Sequence, residues 1–210
     1  AYANCTVHIA KRKAGSCQRR WKMTKEGMLR KFGFFFLPAL LALIPRWGAE
    51  PVDLGLARDD EADVRRRIEA PCDIIVTIGG ASVGDYDVVR TAFAAEGFEP
   101  IFEKIAVKPG KPTWLAALPA GPFVLGLPGN PASALVTARL FLKAAVDAMT
   151  ERADDEGPGT ARLARALPAN GARETFLRGR LHASADGALV ADAFDNQDSS
   201  LLSVLAASNI

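Results

Sequence analysis

The most constraining stretch of the chain is Ile74-Ile75-Val76-Thr77-Ile78, a nearly unbroken apolar run that stops at Gly79-Gly80. Such a run, without polar alternation, suits a strand buried on both faces, as happens where helices cover a parallel sheet on either side. The two glycines permit a sharp turn and a close approach of backbone. Beyond them lie Ser82, Gly84, Asp85, Tyr86 and Asp87, and then Val88, Val89, Ala92 and Phe93 at helical spacing. Strand, glycine turn, polar loop and helix in that order place a ligand at the carboxyl end of a strand, beside a helix start.

The elements around this unit alternate. Residues 51–56 read as a strand, 59–69 as a charged helix capped by Asp59 or Asp60, and 86–96 as a helix closed by Gly97. Strands are expected at 101–107, 113–118 and 123–127, the last two joined by a turn at 119–122. The longest helix is expected at 132–149, with Leu135, Val136, Leu140, Leu142 and Val146 on a broad apolar face. This alternation predicts an α/β domain over 36–150, a three-layer, mostly parallel sheet. Residues 150–160, TERADDEGPGT, have the composition of a linker. After them short runs are punctuated by Asn170-Gly171 and Asp186-Gly187, both hairpin signals, which predicts a small C-terminal all-β domain over 160–210.

Residues 1–31 are of another character, with nine Lys and Arg against the single acid Glu26, while the rest of the chain is acidic. They show no convincing periodicity, and residues 1–35 are expected to be foreign to the fold. Phe32 to Ile44 is an apolar run of 13 residues, short of the ~20 that a spanning helix needs. A start at Met23 or Met28 would give it the outline of a signal peptide. The alternative, an amphipathic helix over 37–44 packing on the sheet, is preferred. The net charge of +2 singles out no polyanionic partner. Three cysteines without a CxxC pair point to a reducing compartment, and two histidines leave little for a zinc site or a histidine triad.

The chemistry must therefore come from carboxylates, lysines, hydroxyls and backbone amides. In the glycine loop, free amides and the Ser82 hydroxyl suit an anion, and Asp87 suits a divalent cation or an attacking oxygen. The competing reading makes Asp85 or Asp87 a simple helix cap. Lys108-Pro109-Gly110-Lys111-Pro112 holds two ammonium groups on a proline-stiffened loop that can neutralise an oxyanion, or merely be solvated; no GxxxxGK[ST] loop is present. Gly126-Leu127-Pro128-Gly129-Asn130-Pro131-Ala132-Ser133 runs from a strand into the long helix, with Asn130 and Ser133 at its start. Asp73, at the head of the apolar strand, is either an acid for a ligand or a partner for backbone.

Taken together in this order and spacing, GGASVGDYD, KPGKP and GLPGNPASA resemble the MoeA-type molybdopterin molybdenumtransferases, a family that includes the gephyrin E domain. The resemblance covers residues 37–208. It implies a molybdopterin-binding fold and insertion of molybdate into adenylylated molybdopterin with release of AMP, supported by Mg²⁺, in the cytoplasm. It implies catalytic roles for Asp87, Lys108 and Lys111, and a metal held by Asp87 and Asp73. Substrate-binding positions are implied at Gly79, Gly80, Ser82, Gly84, Asp85, Pro112, Gly129, Asn130 and Ser133. In the small domain, Phe176-Leu177-Arg178 and the loop Gln197-Asp198-Ser199-Ser200 match more briefly, and make Arg178 and Ser199, with Ser200 as the neighbour, molybdate contacts. The implied partners are the small-molecule substrates, molybdopterin-AMP and molybdate, with no nucleic acid and no membrane. Family members are homodimers through regions that precede the matched segment and do not occur in this chain. A truncated, non-catalytic pterin-binding or scaffold fragment is therefore an alternative, as are a molybdopterin adenylyltransferase and a competence-damage-type nucleotide hydrolase.

Overall fold

The computed structural model describes residues 4–11, 37–58, 60–68, 71–79, 87–151 and 159–209. Strand β1 (Asn4–Lys11) is followed by α1 (Leu37–Arg46), β2 (Ala49–Ala57), α2 (Glu61–Ile68), β3 (Ile74–Ile78) and α3 (Val88–Ala95). Next come β4 (Glu99–Phe102), β5 (Val107–Lys108), β6 (Trp114–Ala117) and β7 (Phe123–Leu127). A long helix follows, in which α4 (Pro131–Thr137) and α5 (Lys143–Thr150) are joined through a π turn at Ala138–Leu142. The C-terminal part holds β8 (Arg162–Leu163), β9 (Glu174–Thr175), β10 (Gly179–Ala183), β11 (Leu189–Ala193) and α6 (Leu202–Ala206).

Six strands form the main sheet in the order β2-β1-β3-β7-β6-β4. Only β3 and β7 are hydrogen-bonded in parallel, because β1 and β6 are inserted antiparallel between their neighbours. The pairings nevertheless make β2, β3, β7 and β4 all point the same way, so their carboxyl ends share one edge of the sheet. Strand β1 comes from the basic N-terminal stretch. Residues 4–11 thus form the second of the six strands, between β2 and β3, whereas the sequence reading makes residues 1–35 foreign to the fold.

Every residue of β3 is buried, and its alternation sorts the core into two layers. Ile74, Val76 and Ile78 face α1 and the long helix, in a cluster with Leu40, Ile44, Ala138, Leu142 and Val146. Ile75 faces the other way, among Val64 of α2, Val89 and Phe93 of α3, and Trp114 and Val124. Each of the larger aliphatic side chains contributes about 1.5–3 kcal/mol through burial. The apolar run before Pro45 is a packed helix: Leu37, Leu40 and Ile44 are the buried stripe of α1. Asp87 caps α3, and Gly97, at φ 85°, ends that helix as expected.

Three expectations change. The strand expected at 101–107 breaks after Phe102, since the Ile105 N–H turns back to donate to the Lys111 carbonyl at 3.0 Å. Asp186-Gly187 does close a hairpin, β10–β11, but Asn170-Gly171 does not. The strands flanking Asn170-Gly171 belong to different sheets, β8 pairing in parallel with β11 and β9 in parallel with β5. The C-terminal part also contains a short helix, α6, beside its strands.

Candidate functional site

The shared carboxyl edge gathers the three motifs. At the end of β3 the Gly79 N–H donates to the Leu127 carbonyl at 3.1 Å, which locks the first residue of the glycine turn to the end of β7. Just beyond, Gly129 lies so near that a Cβ built on it would stand 3.7 Å from Gly79 Cα. The GGASVGDYD and GLPGNPAS loops therefore start side by side. Gly80, Ser82, Gly84 and Asp85 lie outside the described residues.

Asp87 re-enters at the head of α3. Its Oδ1 accepts the Arg90 N–H at 3.1 Å, and its Oδ2 lies 3.1 Å from Arg90 Nε. The carboxylate thus caps the helix and stands in an ion pair. Asp73 is not brought to it: it precedes β3, and the five residues of that strand separate it from the glycine turn by roughly 17 Å. Among the described residues no three His, Cys, Asp or Glu side chains converge on a metal-sized site. The described carboxylates do not form a protein-only cage for the Mg²⁺ that the resemblance implies, because Asp73 lies at the opposite end of the strand from the glycine turn and no third acid joins Asp87 among the described residues. Asp60 does fall on the carboxyl edge, just past β2, where its Oδ1 accepts the Ala62 N–H at 3.2 Å.

The KPGKP turn is held from below. Gly110 is buried at φ 125°, and a Cβ there would stand 2.3 Å from Thr137 Cγ2. Its carbonyl accepts both the Thr113 N–H at 3.0 Å and the Thr113 hydroxyl at 2.8 Å. Thr137 in turn donates through Oγ1 to the Ser133 carbonyl at 2.8 Å. Gly110 therefore seats the lysine turn on the helix that carries Ser133, leaving Lys108 and Lys111 exposed and Pro112 half-buried. Gly110 was not among the expected site residues, although a glycine between two Lys-Pro pairs marks such a seat.

The C-terminal region completes this side. Strand β9 pairs with β5, so that Lys108 is opposite Thr175, and the Phe176 N–H donates to the Lys108 carbonyl at 2.8 Å. Ser199 meets the start of α4 twice: its carbonyl accepts the Ala132 N–H at 3.1 Å, and its hydroxyl accepts from Asn130 Nδ2 at 3.2 Å. Asn130 stands at the N-cap position but spends its side chain on Ser199, and Ser133 is buried one turn further on.

Arg178 is 3% exposed, and its Nε and Nη2 have no hydrogen-bond partner among the described residues. Burial pushes the guanidinium below its ordinary pKa, with the charge of Asp198 opposing that shift. The backbone on either side is pinned by Gln197, whose Oε1 accepts the Arg178 N–H at 2.9 Å and whose Nε2 donates to the Arg178 carbonyl at 2.8 Å. The adjacent Asp198 carboxylate is held below the usual range, first by the Ser200 N–H and then by its hydroxyl, at 2.9 and 2.8 Å. An arginine that retains its charge with two donors unmet among the described residues is a standing donor to an anion. Gln197 could not be singled out from residue type alone; it enters only as a bracket for Arg178.

Residues 36–148 match the family model described as "Probable molybdopterin binding domain", and residues 160–209 match "MoeA C-terminal region (domain IV)". A molybdopterin molybdenumtransferase of Nostoc sp. is 36% identical over 151 residues, which are 69% of this chain and 35% of that protein. The enzyme of the same name from Haemophilus influenzae is 41% identical over 98 residues, 45% of this chain and 24% of the relative. The chain thus spans about a third or less of the length of these curated relatives. Among solved structures, the molybdopterin biosynthesis moea protein from Pyrococcus horikosii superposes with a TM-score of 0.64 at 25% identity, over 90% of this chain and 44% of that one. With its binding-domain match over 36–148 and its MoeA C-terminal match over 160–209, the chain belongs to the molybdopterin-binding family of the molybdopterin molybdenumtransferases.

Proposed function

We propose that the chain works in molybdenum cofactor biosynthesis, holding adenylylated molybdopterin and molybdate at the carboxyl edge of its sheet and releasing AMP as the metal oxyanion is inserted. The observation that carries this reading is Arg178, a buried guanidinium with two donors unmet among the described residues, two residues along from the Phe176 N–H that bonds to Lys108. Lys108 and Lys111, exposed on a seated turn, neutralise the phosphates of the pterin and of the AMP. Opening the phosphoanhydride forms a bond from a water oxygen to phosphorus and breaks the bridging P–O bond, so the lysines lower the charge on the departing AMP. Asn130, Ser133 and Ser199 orient the bound anion, and the Asp87 carboxylate orients the attacking water. Catalytic and binding roles at Gly79, Gly80, Ser82, Gly84, Asp85, Pro112 and Gly129 belong to the same proposal.

Cytoplasmic residence is part of this reading. Among the described residues no helix is long and apolar enough to cross a membrane. The deciding experiment is calorimetric titration of the chain and of Asp87→Ala with molybdopterin-AMP and with molybdate, alongside chromatographic detection of AMP. Binding followed by AMP release in the unaltered chain, slowed in Asp87→Ala, is the expected result. Binding without release would assign a ligand-holding role instead, and absence of binding would overturn both.

A further inference from the structure

Arg90 stands one turn into α3, where its guanidinium is flanked by a carboxylate, a main-chain carbonyl and an aromatic ring. Nε faces Asp87 Oδ2 at 3.1 Å, while the Arg90 main-chain N–H donates to Oδ1 of the same carboxylate at 3.1 Å. Nη2 donates to the Glu103 carbonyl, again at 3.1 Å. The guanidinium carbon lies 5.4 Å from the centroid of the Trp114 ring, a cation–π contact. That ring is itself closely packed: it is buried, and it fills the space over Gly126, where a Cβ would fall 1.7 Å from Nε1. Glu103 leads directly into the turn whose Lys111 carbonyl accepts from Ile105 at 3.0 Å.

We propose that Arg90 is a positioning residue, a strut that sets the distance between the Asp87 carboxylate and the turn bearing Lys108 and Lys111. The inference rests on the proposed role of Asp87 at the site. An exposed i,i+3 ion pair contributes little; here the two side chains are 27% and 12% exposed, and the planar fork is engaged at both ends. An ammonium at the same place could hold the carboxylate or the Glu103 carbonyl, but not both with the same geometry.

The test uses the full chain with Arg90→Met, Arg90→Lys, Asp87→Ala and the double variant Asp87→Ala/Arg90→Met. The readout is AMP release from molybdopterin-AMP in the presence of molybdate. Misplacing Asp87 should lower kcat in Arg90→Met by about 100-fold with KM nearly unchanged, because the loss falls on geometry rather than on binding. Arg90→Lys, which keeps the ion pair, should recover about tenfold of that loss. The double variant should be no slower than Asp87→Ala alone, since a strut without its load has nothing to position. A wild-type kcat in Arg90→Met, a Lys variant no better than Met, or a further slowing in the double variant would each overturn the proposal. An unaltered chain that binds molybdopterin-AMP without turnover leaves Asp87 no reaction to be positioned for, and overturns the role assigned to Arg90 while the ligand-holding reading stands. An unaltered chain that neither binds nor releases AMP defeats the underlying reading and Arg90's role with it; an active chain with an additive cycle defeats Arg90's role alone.

Discussion

Arg178→Met keeps an unbranched stem at a position 3% exposed while deleting a charge whose Nε and Nη2 have no partner among the described residues. Each buried donor left unmade costs about 1–3 kcal/mol. The attraction to Asp198, which the substitution removes, reaches an exposed carboxylate and is weakened by solvent screening. The bonds from Gln197 to the Arg178 N–H and carbonyl are main-chain contacts, and they survive the change. With two such donors removed, the balance is a gain in stability of about 2 kcal/mol or more, the opposite sign to most core substitutions. In urea this should raise the unfolding midpoint by roughly 1 M with an unchanged slope. The same variant should lose calorimetric binding of molybdate, so that stability and ligand capture move in opposite directions. A variant less stable than the parent by 1 kcal/mol or more would refute the reasoning, because the guanidinium would then have a partner in solution that it needs.

Other positions test the frame of the site. Gly110→Ala places a Cβ 2.3 Å from Thr137 Cγ2 at φ 125°, and should cost about 2–5 kcal/mol in urea unfolding; adding Thr137→Ser should return the steric share but not the backbone share. Gly126→Ala must displace the Trp114 ring, whose Nε1 would stand 1.7 Å from the new Cβ, so near-UV circular dichroism should change and stability should fall by about 1–3 kcal/mol or more. Asn130→Ala removes the bond to the Ser199 hydroxyl but not the Ala132–Ser199 main-chain bond, and should cost about 0.5–1.5 kcal/mol at most. Asp63 accepts the Arg58 N–H at 2.8 Å, and that bond, ahead of Arg67 and Arg66, holds its carboxyl below the usual range. A depressed folded pKa gives stability that is present in full above the unfolded value near about 4 and is lost as pH falls through the folded value. The stability difference between the parent and Asp63→Asn should therefore shrink on acidification, as urea midpoints measured along a pH series would show.

Much of the α/β frame was legible because burial on two faces leaves so little freedom of residue type. Ile74 to Ile78 carry no charge on either side, and both layers of the core close on them. The lysine turn was visible as charge between prolines, but its seat on Thr137 depends on a helix more than twenty residues further on, which local pattern cannot supply. Strand β1 did carry a signal, with Cys5, Val7 and Ile9 alternating with Thr6 and His8. The surrounding basic residues masked it, and its partners in β2 and β3 are distant in sequence. Arg178 shows the limit most clearly. In Phe176-Leu177-Arg178-Gly179-Arg180 nothing separates a buried arginine from an exposed one, and Arg180 is indeed exposed. The difference lies in Gln197, whose amide closes over the backbone of one and not the other. Asp73 marks a simpler gap: a strand has two ends, and residue type does not say at which of them an acid will stand.

The short β5–β9 ladder has a consequence for the order in which the molecule is made. Lys108 is fixed in the ladder opposite Thr175, and its carbonyl is held by Phe176. Until residues 174–176 have arrived and paired, the lysine turn is anchored only at Gly110 and by the Ile105–Lys111 bond. Closing so long a loop is slow relative to local turns and helices. The sheet can therefore assemble first and the lysine turn settle last. Pulse-labelling hydrogen exchange would register it as late protection of the Phe176 amide against early protection in β3 and β7.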